Sequence, residues 1–409
     1  MASYLAPGVY VEEVPSAVRP IAGVGTSTAA FIGVAGNLKA WDPDKAAGMP
    51  VRPSGGDYEQ AKALTPTPVN SWGEFVASFG EIQTANRHLA HAVYGFFDNG
   101  GTRCWVARVA AAADLAKGVD TILARFESID EIALVAAPLP PDVPPGALTT
   151  VQAALVGHCQ RMEDRVAILD SVCDVAGDSL VISTDDSGIH RPAANPKGYG
   201  AFYFPWIEVA DPLGAPGDRV MVPPSGHLAG IYARSDATRG VHKAPANEVI
   251  VGALGTRYPV SKNLAGTLNP LGVNCIRGFA GTVKVYGART LASDPNGDPE
   301  WTYVSTRRLV NYLRESIDEG TQWVVFEPNA PELWSKIRRN VGAFLNTVWA
   351  SGALLGATPE QAFFVRCDES TNPPEVRELG QVVTEVGVAI VRPAEFVVFR
   401  LSQWGGPAS

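Results

Sequence analysis

Short continuous apolar runs alternate with helical stripes through the first half of the chain, and this rhythm predicts an α/β fold. Residues 29–33, 104–109, 132–136 and 166–169 are too uniformly apolar for strands with one wet face, so they predict strands covered by helices on both sides. Between them, apolar residues recur at helical spacing over 86–97, 118–126 and 151–162. Strand, helix, strand in this order implies parallel pairing. Ser71-Trp72-Gly73-Glu74 fits a capping box that opens a further helix, and Asn99-Gly100-Gly101 supplies a left-handed helix exit.

The last third changes character. Leu309, Leu313 and Ile317 share one helical face over 306–317, and 323–326 predicts a strand. Asn329 is placed to cap a long helix with Pro331 in its first turn, along a stripe of Leu333, Ile337, Val341, Phe344, Leu345 and Val348. Two β-prone runs, 382–391 and 395–401, flank Arg392-Pro393-Ala394 and predict a hairpin or a corner between paired strands. At the other end, residues 1–20 are extended by composition, with Pro7-Gly8 before a β-prone run from Val9 to Val14. A segment with so little core of its own needs a sheet to join, either in its own domain or in a neighbouring chain.

Composition narrows the class. At 409 residues the chain is long enough for two domains, and 41 glycines with 32 prolines favour long loops and extended arms, such as 37–69. Thirty-three basic against forty-two acidic residues give a net charge of −9, which lacks the basic footprint of a nucleic-acid coat. Five widely spaced cysteines, Cys104, Cys159, Cys173, Cys275 and Cys367, show no metal spacing and read as buried thiols in a reducing compartment. The first residues have neither the basic nor the apolar region of a secretory signal, and no apolar run is long enough to span a bilayer. The expectation is a protein made and folded in the cytoplasm.

Candidate chemistry is sparse. Gly23-Val24-Gly25 starts a dinucleotide fingerprint, but Thr28 stands where the third glycine belongs, and no phosphate loop or GxSxG elbow occurs. His88 and His91 lie three apart on a predicted helix, yet nothing nearby completes a metal site. Asp170 ends a predicted strand, and Asp185-Asp186 with His190 offers acid and base groups; turn and cap roles suit such residues equally. Ser225 is best used locally as a helix cap. Lys336, Arg338 and Arg339 form a basic cluster on the long helix of an acidic chain, either a solvated face or a docking face for an acidic partner.

Ordered stretches run along the chain at Pro7 to Val14, Ser71 to Phe75, Asn99-Gly100-Gly101, Asp164 to Asp170 and Val222 to Tyr232. Thr238 to Glu248, Gly287 to Leu291, Gly320 to Asn329 and Arg392 to Val397 continue the series. Together they resemble the tail sheath proteins of contractile phage tails and phage-tail-like contractile injection particles. The loop 37–69 is longer than the family pattern and inherits no role.

The resemblance implies an α/β (mixed α+β) fold with central mixed sheets flanked by helices and two domains with extended arms. It implies an arm over 1–20, an outer domain over 21–215, an inner sheath domain over 216–381 and a C-terminal strand segment over 382–409. The chain would be a structural subunit of stacked hexameric rings around an inner tube, without catalysis, cofactor or metal. Strand exchange between subunits would use Val9, Tyr10, Val11, Glu12 and Val14 at one end, and Phe396, Val397, Val398, Phe399 and Leu401 at the other. Lys336, Arg338 and Arg339 would face the tube. Further partners implied are baseplate and tail-terminator or cap proteins, with paralogous sheath subunits as an additional candidate, and neither nucleic acid nor a membrane. Two alternatives remain from the residues themselves: a hydrolase-like α/β enzyme using Asp170 or the Asp185/His190 region, and a shell protein that tiles without contracting.

Overall fold

The computed structural model describes residues 20–36, 60–175, 180, 188–293 and 299–399. Val9, Tyr10, Val11, Glu12, Val14 and Leu401, together with Asp185 and Asp186, lie outside them. The chain forms two compact units. The larger comprises residues 24–314 and the stretch from 391 onward; the smaller comprises 315–390 and the residues up to 23.

The large unit is built on a nine-stranded sheet. Its parallel centre contains β1 (Ala29–Val34), β3 (Cys104–Val109), β4 (Leu134–Ala136), β5 (Val166–Asp170), β6 (Gly200–Phe204) and β11 (Val273–Phe279). Antiparallel strands close both sides: β2 (Thr67–Val69) next to β3, and β12 (Thr282–Tyr286) followed by β9 (Glu248–Val249) next to β11. A three-stranded sheet of β7 (Ile207–Ala210), β8 (Arg219–Val222) and β10 (Gly255–Thr256) accompanies it.

Alternation along β1 shows why the strands are apolar throughout. Ala29 and Phe31 pack into the core under α1 (Trp72–Phe79), α2 (Arg87–Asp98) and α5 (Ser225–Arg239), while Ala30 and Ile32 enter the opposite core under α3 (Leu115–Phe126) and α4 (Pro145–Met162). Both faces are dry, as the runs predicted. The short α6 (Lys262–Leu268) packs beside β11. The sheet also runs straight through the expected 215/216 boundary, because β6 before it pairs with β11 after it.

Local signals account for several helix ends. Ser71 accepts from the Glu74 amide at 3.2 Å, and Glu74 reaches back to the Asn70 amide at 2.8 Å, one residue before the expected position. Gly100, at φ +107°, lets the chain leave α2 against Arg234. The packing of α2 on α5 depends on Gly226 and Gly230, one turn apart: a Cβ on either would lie 2.3–2.4 Å from the carbonyl oxygen of Ala92 or Phe96.

In the small unit the predicted strand over 323–326 is absent. Gln322–Val324 forms a tight helical turn, and Phe326 takes a positive φ of 69° with its side chain fully exposed. The pattern misled because the apolar residues there do not all face a core. Helix α7 (Val304–Thr321) starts in the large unit, and its last residues belong to the small one. Helix α8 (Pro331–Ala350) buries the expected stripe plus Trp334 and Asn340. Ala330 occupies its N-cap, while Asn329 instead accepts from the Trp334 indole at 2.9 Å and donates to the Gln381 carbonyl at 2.8 Å. The expected hairpin of the two final runs does not form: β14 (Glu385–Val388) pairs with β13 (Phe363–Arg366), and residues 391–399 contain no strand.

Candidate subunit-contact segments

The β13–β14 sheet is incomplete by physical criteria. Two antiparallel strands of four residues each, continued by a bridge between Leu354 and Ile390, are its extent among the described residues, so each strand keeps one edge without a partner. None of its eight residues is fully buried. One face carries Phe364, Arg366, Glu385 and Gly387, tied by the Arg366–Glu385 pair at 3.2 Å. The Phe364 ring lies over Gly387, where a Cβ would meet it at 2.1 Å, yet the ring remains 53% exposed. Leu355, Leu379, Val383 and Val386 add further exposed apolar surface to the same unit. An isolated two-stranded ribbon is marginal in water, and this one is unusually rich in unburied hydrophobic groups.

Helix α8 divides the predicted basic cluster. Arg338 is half-buried and donates to the Cys367 carbonyl and, at 3.3 Å, to Ser335 Oγ, so it ties the helix to the end of β13. Arg339 is exposed and Lys336 half-buried, and neither has a hydrogen-bond or ion-pair partner among the described residues.

After Ile390, which bridges Leu354, the described segment is fastened at Glu395. Glu395 accepts from Arg289 Nε at 2.9 Å and Nη2 at 2.7 Å, from Asn269 Nδ2 at 2.6 Å and from the Tyr303 hydroxyl at 2.9 Å. Burial would raise its carboxyl pKa, but Arg289, Asn269 and Tyr303 hold it below the usual range. Beyond it, Phe396, Val397, Val398 and Phe399 are all exposed, Phe399 by 84%. On the N-terminal side, Asp236 accepts from Arg308 at 2.9 and 2.5 Å and from Thr26 Oγ at 2.6 Å, deep in the large unit.

Of the residues considered for catalysis, Asp170 and Ser225 bond to each other and His190 is buried. Asp170 does not stand free at a strand end: its two oxygens accept from the Ser225 amide at 2.8 Å and the Ser225 hydroxyl at 2.5 Å. Ser225 is therefore the first residue of α5 rather than its cap, and the carboxylate of β5 caps the helix from another element. Burial pushes Asp170 up to about 7, against the two bonds that favour its charged form. His91 and His227 are buried where α2 meets α5, and burial lowers them to about 4 and about 3. His88 lies beside Trp206 with its ring tilted 59° and is lowered to about 4 by burial and by His91. Among the described residues no group of His, Cys, Asp and Glu could hold a metal, and no helix is long and apolar enough to cross a membrane. All five cysteines are buried free thiols.

Comparison with known proteins decides the family. Residues 132–291 match the phage tail sheath protein central domain, and 296–403 match the phage tail sheath C-terminal domain. The chain belongs to the phage tail sheath family. A putative prophage major tail sheath protein of Pseudomonas aeruginosa is 27% identical over 194 residues, 44% of this chain and 47% of that protein. The chain thus spans about half the length, or less, of the curated relatives it matches. Solved structures align nearly end to end. The contracted helical sheath of the anti-feeding prophage is 27% identical, with a TM-score of 0.72 over 98% of this chain and 100% of that one. The contracted PVC sheath complex, from an extracellular contractile injection system, is 27% identical with a TM-score of 0.72 over 99% of both chains.

In the sheath chain, stretches that carried the resemblance meet in pairs. Asp170 joins Ser225, Asn99 abuts Gly230, and Arg289 joins Glu395. Sequence reasoning missed the last pair, since 106 residues separate its members. It also missed Gly226 and Gly230, although their four-residue spacing was a visible signal for close helix packing.

Proposed function

We propose that this chain is the subunit of a contractile sheath, stacked as hexameric rings around an inner tube and contracting to drive that tube through a target envelope. The observation that carries the reading is the open β13–β14 sheet, which among the described residues keeps two unpaired edges and has no fully buried residue. Strands from other copies complete it. Residues 9–14 and Phe396 to Leu401 are the donors, because main-chain hydrogen bonds of an added strand give affinity with little side-chain demand. The two ends of a subunit thereby link it to different neighbours, and the links persist while the units move as nearly rigid bodies.

The role is mechanical and not catalytic. A gain of about 1–3 kcal/mol per subunit, typical of switching transitions, becomes large when summed over a whole sheath. Lys336 and Arg339 hold the tube by charge in the extended state, while Arg338 orients the helix that presents them. Residues 315–390, which carry α8 and β13–β14, form the inner part of the sheath. Further partners are the baseplate, a tail-terminator or cap protein and any paralogous sheath subunit, with assembly in the cytoplasm. Electron microscopy of the full chain beside a form lacking residues 1–20 tests this. Striated tubes from the former and dispersed particles from the latter support it; monodisperse particles from both, with tube and baseplate supplied, overturn it.

A further inference from the structure

Strand exchange imposes a demand on the donor chain. Whatever grips Phe396 to Phe399 pulls on their root, and residues 391–394 have no strand ladder to resist it. Among the described residues, one strong fastening stands there, at Glu395. The Glu395 carboxylate is met side-on by the Arg289 fork, and Asn269 and Tyr303 supply two more donors. These three donors come from separate segments: the turn at Asn269–Leu271, the stretch after β12 and the residue just before α7. Arg289 is itself held, since its amide donates to the buried Asn274 side chain at 2.6 Å and its carbonyl accepts from it at 2.7 Å.

We propose that Glu395 is the post of the C-terminal arm: its clamp by Arg289, Asn269 and Tyr303 delivers tension drawn on residues 396 onward into the large unit. Pull is thereby kept off the chain between Ile390 and Glu395 and off the β14 ladder that precedes it. The proposal rests on the sheath reading for the source of tension, but the clamp itself is a property of the single subunit. Asp236, held by Arg308, fastens Thr26 in the same manner a few residues after the N-terminal segment.

A protease comparison tests the post without assembly. Chymotrypsin must draw several residues on each side of a bond into its cleft, so cleavage after Phe396 requires Glu395 to leave its clamp. Phe326 is fully exposed in the same protein and serves as an internal clock. In Arg289→Met, which leaves the cleaved sequence unchanged, the rate after Phe396 relative to Phe326 should rise at least about tenfold, with Arg289→Lys in between. An equal ratio in all three proteins overturns the post, and so does a general loosening that accelerates both cleavages together. In assembled sheaths, Arg289→Met should break into short pieces at a guanidinium concentration that leaves the parent intact; equal durability overturns the tension role. If the full chain forms no sheath with tube and baseplate present, the proposed function fails, and the protease ratio still decides the clamp.

Discussion

Replacing Gly226 with alanine should destabilise the large unit, although alanine is the better helix former. A Cβ at position 226 would lie 2.3 Å from the Ala92 carbonyl oxygen and 2.4 Å from its Cα, against an ordinary contact of about 3.4 Å. Both obstacles are backbone, so no rotamer change relieves them, and α2 must move away from α5 by about 1 Å. That movement loosens Leu228, Ile231 and Tyr232 against Val93 and Phe96, all fully buried. Overpacking of this kind costs about 3 kcal/mol, the upper end of the usual range, when backbone must yield, and helix propensity returns only about 1 kcal/mol. The expected net loss is about 2 kcal/mol, a fall of roughly 3 °C in melting temperature for a unit of this size. Gly342→Ala is the matched control: position 342 lies inside α8 with nothing within 4 Å, so it should gain up to about 1 kcal/mol. Thermal and urea unfolding of both variants gives the comparison. If Gly226→Ala is as stable as the parent, the close approach of α2 and α5 is not what fixes these glycines.

Acid should weaken the subunit through its buried histidines. His91 and His227 have lowered folded pKa values near 4 and 3, so the unfolded chain takes up protons first as pH falls below 6.5. Stability is then lost from about pH 6.5 downward, by roughly 3 kcal/mol for His91 once pH passes its folded value. Arg87 disfavours and Asp211 favours protonation of His91, while Asp170, raised to about 7, acts the opposite way by losing stability as pH rises from about 4 to 7. His91→Gln should flatten the acid limb of the stability curve, and an unchanged limb would contradict the assignment. Lys336→Glu with Arg339→Glu should weaken assembly on the tube and its sensitivity to salt, and assembly unchanged from low to high salt removes the charge contact. Gly387→Ala should drive the Phe364 ring off the sheet, leaving the subunit's melting temperature within about 2 °C but reducing sheath formation severalfold; normal sheath yield would mean that this face takes no part in exchange.

The parallel centre of the large sheet was legible because burial on both faces leaves an uninterrupted apolar signature, as in β1, β3 and β5. Helices α2, α4 and α8 were legible from their stripes, and α1 from Ser71 and Glu74. Local pattern failed where apolar residues face no core of their own subunit. Residues 323–326 and 395–399 both read as strands, yet Phe326 and Phe399 are exposed, and no described residue of the subunit pairs with them. The basic cluster was visible as charge, but only geometry separates Arg338, bonded to the Cys367 carbonyl, from Lys336 and Arg339. Glu395 carried no local signal at all: its chemistry is set by Asn269, Arg289 and Tyr303, each more than 90 residues earlier.

The central claim is that β13–β14 is completed by other copies of the chain. A cryo-EM map of the assembled full-length protein, at a resolution that separates strands, tests it most directly. The account predicts that both free edges of β13–β14 are hydrogen-bonded to strands from neighbouring subunits, one from residues 9–14 and one from the segment after Glu395. An ordered assembly in which β13–β14 remains two-stranded, with subunits joined only through other surfaces, would contradict it.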